Sequence, residues 1–79
     1  MIKTAKEAYG IAKKIKEYKK YDTCFCREDD ISYFFTYPVP GVPLLRIYKE
    51  NGNYEKIPFH MAINMKIENE KIIPLSQLK

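Results

Sequence analysis

Cys24 and Cys26 in the run CFC, together with the single histidine His60, are the residues of this 79-residue chain best suited to nucleophilic or metal chemistry. A thiol nucleophile needs a base beside it, and His60 is the one imidazole present. No spacing puts Cys24 next to His60, and the three glycines are too dispersed to form a loop that cradles an oxyanion or a phosphate. A tetrahedral metal site needs roughly four ligands, more than the two thiols and one imidazole provide. In a strand the two cysteine Cα atoms would lie about 6.8 Å apart, the outer limit for a disulfide, so free thiols are expected. The acidic run Glu28-Asp29-Asp30 lacks calcium-loop spacing and reads as a solvated turn. These residues point away from an enzyme, a metal and a cofactor, and toward binding.

A second group has the chemistry of a ligand grip. On strands that flank the Asn51-Gly52 turn, the side away from the core is expected to carry Arg46, Tyr48, His60, Asn64 and Lys66. Arg and Lys neutralise phosphate, Tyr and His stack on bases, and Asn reads a base or ribose edge. The same mixture also suits the wet face of a half-buried sheet.

Positioning these groups requires a sheet and something to cover it. From Ile2 to Tyr21 the apolar residues Ala5, Ala8, Tyr9, Ala12, Ile15 and Tyr18 recur three and four apart, which predicts one amphipathic N-terminal helix. Gly10 interrupts it, marking a bend or a close approach. Beyond Asp22 the period becomes two. Thr23 to Arg27 reads as a short strand. ISYFFTY then puts Ile31, Tyr33, Phe35 and Tyr37 on one face and Ser32, Phe34 and Thr36 on the other. The prolines of PVPGVP (Pro38 to Pro43) exclude regular pairing, and Pro40-Gly41 suits the centre of a type II turn.

Leu44 to Lys49 and a strand from Tyr54 flank the turn Glu50-Asn51-Gly52-Asn53. Alternation then predicts a long strand from Ile57 to Ile67, with a helix from Phe59 to Asn69 as the competing reading. Pairing Ile67 with Lys71 across Glu68-Asn69-Glu70 would set Met65 opposite Ile73 and Ile63 opposite Leu75. The expected fold is α+β: one domain over residues 1–79, with an N-terminal amphipathic helix packed on an antiparallel sheet of about five strands.

A chain this short has room for one core, so a deep ligand pocket is expected from a groove, a sheet face or a homo-oligomer. The formal charge of +4 is uneven, since residues 1–20 hold seven Lys against two Glu. That excess favours anionic partners of several kinds. No apolar run has the length of a membrane span or the form of a signal peptide, so a cytoplasmic protein without membrane contact is expected.

The segment INMKIENEKIIPLSQ, Ile63 to Gln77, carries a resemblance. Its Met65-Lys66, its polar turn, Lys71-Ile72-Ile73-Pro74 and Ser76-Gln77 resemble the terminal hairpin of the small phage proteins known as Thoeris anti-defence sponges. Ile57-Pro58-Phe59 and Ala62-Ile63-Asn64 are similar to the approach to that hairpin. The likeness spans about residues 57–77. Glu70 stands where that family tends to have Gly, and Leu75 where it has Trp. The resemblance implies a non-catalytic phage protein that acts in the host bacterial cytoplasm. There it would sequester a signalling nucleotide, cyclic or ADP-ribose-derived, as a homo-oligomer. A helix followed by strand-NG-strand also resembles, more loosely, some immunity domains. That likeness implies a small protein-binding inhibitor or toxin-immunity module that meets a host or toxin protein through the Lys-rich helix or exposed Tyr residues. Nucleic-acid binding through the basic helix is a third reading.

Overall fold

The computed structural model describes residues 1–65 and 70–79. The N-terminal helix α1 is Ala5–Ala12. The strands are β1 (Phe25–Glu28), β2 (Ser32–Thr36), β3 (Leu44–Tyr48), β4 (Tyr54–Ile57) and β5 (Lys71–Ile73), with a four-residue helix α2 (Phe59–Ala62) after β4 and a closing 3-10 turn at Leu75–Leu78. The sheet is antiparallel, in the order β4-β3-β2-β1-β5. This is the α+β architecture that the two periodicities anticipate.

Thr4 starts α1 by accepting a hydrogen bond from the Glu7 amide at 3.2 Å, which satisfies a donor the helix itself leaves unpaired. The stripe holds as expected, with Ala5, Ala8 and Ala12 buried against the sheet. The helix is shorter than its stripe. Past Ala12 the chain closes tight turns, as in Ile15 N to Ala12 O at 3.1 Å and Tyr21 N to Tyr18 O at 3.0 Å. Lys16 would face Lys13, Lys19 and Lys20 at helical spacing, and that like-charge crowding opposes continuation. Tyr18 stays fully buried and donates its hydroxyl to the Pro43 carbonyl at 2.9 Å. Gly10 is exposed with open space beside it, so it marks neither a bend nor a close approach.

β1 begins two residues later than expected because Thr23 is diverted: its Oγ1 donates to the Thr36 carbonyl at 2.7 Å, and Cys24 N takes the same oxygen at 2.8 Å. β2 alternates as predicted, and both of its faces are covered. Tyr33 and Phe35 join Ala8, Tyr18, Leu45 and Ile47 in the core under α1, while Phe34 joins Leu44 and Ile57 in a second cluster on the reverse face. Only Ile31 leaves the pattern, 56% exposed just before the strand.

The acidic turn is exposed at Asp30, as expected, but Glu28 and Asp29 are drawn into the fold. Asp29 Oδ1 accepts from Ile31 N at 2.9 Å, Ser32 N at 2.8 Å and Ser32 Oγ at 2.9 Å, a side-chain turn that delivers the chain into β2. Glu28 pairs with Lys49 at 2.8 Å. The Pro40-Gly41 turn forms as its residues dictate, with Gly41 at φ +85° and Val42 N bonded to Val39 O at 3.2 Å.

The long strand from Ile57 to Ile67 is not formed. β4 stops at Ile57, Pro58 has no N–H to continue the ladder, and the next residues coil into α2. The competing helix from Phe59 to Asn69 forms at Phe59–Ala62 and does not continue through residues 63–65, while residues 66–69 lie outside the described residues. Nor do the described residues form the predicted pairs Met65–Ile73 and Ile63–Leu75. β5 takes the free edge of β1, with Cys26 opposite Ile73, Arg27 opposite Ile72 and Glu28 opposite Lys71. Ile73 packs toward α1 and Met65 on the reverse face, so these two cannot be partners. Ile67 lies outside the described residues. Among the described residues no helix is long and apolar enough to cross a membrane.

Candidate functional site

The reverse face of the sheet is organised by one row of register partners: Ile72, Arg27, Phe34, Arg46 and Glu55, running from β5 to β4. Strand register sets this row, and alternation keeps its members on one face. Phe34 is buried at its centre, and an arginine flanks it on either side.

Arg46 and Tyr48 lie on this face, as expected, but both are committed within the protein. The Arg46 guanidinium lies 4.7 Å from the Tyr48 ring centroid and 5.2 Å from that of Phe34. Its Nε donates to Ser32 Oγ at 3.0 Å, and Nη2 stands 3.9 Å from Asp29. Tyr48 donates its hydroxyl to Glu55 at 2.8 Å, and that bond, then burial, pushes the phenol pKa up. His60 and Asn64 are exposed on α2 and the turn after it, where Asn64 Nδ2 donates to the His60 carbonyl at 3.2 Å. Among the described residues no hydrogen bond or ring contact joins this pair to Arg46 and Tyr48. Lys66 lies outside the described residues.

What the fold does build is a groove of about 780 Å³ on the same face. Its floor is Thr36 and Leu44, one wall is the loop from Pro38 to Pro43, and the other is Pro58, Phe59, Ala62 and Ile63. Ala62 and Met65 face inward and cover Phe34, Leu44 and Ile57. Phe59 and Ile63, one helical turn apart, are left 78% and 65% exposed. Arg27 closes one end. It pairs with Glu70 at 3.1 Å and lies over the Phe25 ring at 5.7 Å, while its Nε is buried with no partner among the described residues.

No family model matches this chain, and neither does any curated protein or solved structure. The geometry alone carries the assignment. Sequence reasoning missed Arg27, the proline loop and the rim formed by Phe59 and Ile63. The available signal was Pro58 followed by Phe59, Ala62 and Ile63 at helical spacing.

Among the described residues no hydrogen bond joins either thiol to His60. Cys26 is buried, and burial pushes its thiol up to about 12, so it is protonated at neutral pH. Cys24 is exposed, and its Sγ lies 3.4 Å from the Thr36 carbonyl. Both thiols are free. Among the described residues no three His, Cys, Asp or Glu side chains gather as a metal site would require.

Proposed function

We propose that the protein is a non-catalytic, protein-binding inhibitor or toxin-immunity module that acts in the bacterial cytoplasm and docks through the groove of its reverse face. The observation that carries this reading is the exposure of Phe59 and Ile63 together on the groove rim. Large apolar side chains scattered singly need no explanation, but two adjacent ones lining an apolar groove mark an interaction surface. Covering Phe59 and Ile63 would each contribute roughly 1.5–3 kcal/mol, the scale of an interface anchor. The test is affinity capture from bacterial lysate with the wild-type chain and with Phe59→Ser/Ile63→Ser, followed by reconstitution from purified components. A stoichiometric complex that only the wild type forms supports the reading. Equal capture by both proteins overturns it.

Sequestration of a signalling nucleotide is the second reading. It is favoured by a groove volume within the range of small-ligand sites and by the Arg27 donor at its end. On this reading a homo-oligomer takes up cyclic dinucleotides or cyclic ADP-ribose isomers and releases them intact on denaturation. Native mass spectrometry against that ligand panel tests it, with Arg27→Met expected to abolish uptake. A monomer that ignores the whole panel removes it.

A further inference from the structure

The groove has a basic neighbour. On the other side of the proline loop a second, shallower cleft is lined by Lys16, Glu17, Lys20 and Tyr21, and it shares Gly41, Val42 and Pro43 with the groove. The loop is therefore a ridge with an apolar trough on one flank and lysines on the other. Tyr18 fixes the ridge against the lysine-bearing segment: its hydroxyl holds the Pro43 carbonyl at 2.9 Å, and its ring lies 4.9 Å from that of Tyr37.

The charges of this cleft are uncompensated. Glu17, its one carboxylate, is engaged by Lys56 from β4. Of the nearby lysines, Lys13 is held by Asp22 at 3.0 Å. Lys16 and Lys20 are exposed, and among the described residues neither has a carboxylate partner; Lys20 Nζ lies 5.3 Å from the Tyr21 ring. This is where the positive excess of residues 1–20 becomes a local feature beside the groove.

We propose that the partner is a protein with an acidic surface from which one apolar side chain projects. That side chain seats in the groove between the loop and Phe59, and carboxylates beside it cross the ridge to meet Lys16 and Lys20. The inference rests on the protein-binding reading and adds the partner's chemistry to it. Complementary charge at such a rim steers encounter and rejects like-charged competitors, while the buried anchor holds the complex.

The experiment uses three synthetic peptides: a Trp flanked by glutamates, the same peptide with lysines in place of the glutamates, and the glutamate peptide with Ala in place of Trp. Binding is read from NMR shifts of the isotopically labelled full chain. The glutamate–Trp peptide is expected to move signals of Gly41, Val42 and Ile63 together with those of Lys16 and Lys20. It should bind about tenfold more tightly than the lysine–Trp peptide, and raised salt should erode that preference. Lys16→Glu/Lys20→Glu, both at exposed positions, should reverse it. Equal groove binding by both Trp peptides overturns the acidic-partner proposal and leaves the protein-binding reading standing. Equal binding of the Ala and Trp peptides overturns the anchor. Failure of every Trp peptide to move any groove signal overturns both.

Discussion

The guanidinium of Arg46 lies 4.7 Å from the centroid of the Tyr48 ring, two residues along the same strand and on the same face. Arg46 also bonds Ser32, whose amide and hydroxyl are in turn held by Asp29, so these side chains form one internal network linking β3 to the turn before β2. The network makes Arg46 a structural residue. Arg46→Ala should lower stability by about 1–3 kcal/mol in urea denaturation and leave groove binding unchanged. Unchanged stability with loss of ligand would instead make Arg46 a binding contact.

The groove rim should behave in the opposite way. Phe59 and Ile63 contribute little to the fold because both remain largely in water. Phe59→Ser/Ile63→Ser should shift the free energy of unfolding by no more than about 0.5 kcal/mol per site and reduce binding of an apolar dye such as ANS. A large fall in the urea midpoint would show that these side chains pack inward.

Two glycines give contrasting expectations. Gly52 sits at φ +74°, and a Cβ there would stand 3.2 Å from Ile11 Cδ1. Gly52→Ala should cost about 1–3 kcal/mol. Gly10 lies within α1 beside open space, so Gly10→Ala should stabilise by about 0.5–1 kcal/mol through helix propensity alone. Thermal melts of the two variants check both signs.

The thiols should separate by reactivity. At pH 8 Cys24 should react readily with a disulfide reagent, and Cys26 only as fast as the protein opens. Burial raises the Cys26 pKa from 9.0 to about 12, so between those values the unfolded chain loses a proton that the folded chain keeps. Stability from this group is thus fully present below pH 9 and is lost as pH rises toward 12. Tyr18, raised by burial from 10.0 to about 12, adds to the same loss. Cys26→Ala should flatten part of the alkaline slope measured by denaturation at a series of pH values.

Local chemistry made much of this protein legible in its sequence. Period-two alternation places Tyr33 and Phe35 on one face of β2 and Phe34 on the other. Pro40-Gly41 and Asn51-Gly52 specify turns because only Gly reaches their positive φ without strain. The Ala5, Ala8 and Ala12 stripe finds the sheet because its small apolar side chains let α1 pack into one core with Tyr33, Phe35, Leu45 and Ile47. The tertiary structure decided the rest, through competition between partners distant in sequence. Ile72 and Ile73 alternate as well for a hairpin with residues 63–67 as for the edge of β1. Only the assembled sheet, with that edge open and with Pro58 already turning the chain into α2, selects β1. The same step decides the site. Arg46 reads in sequence as a free cation and is engaged by Ser32 and Asp29 once β2 and β3 pair, whereas the groove arises only where the proline loop and α2 meet over Leu44.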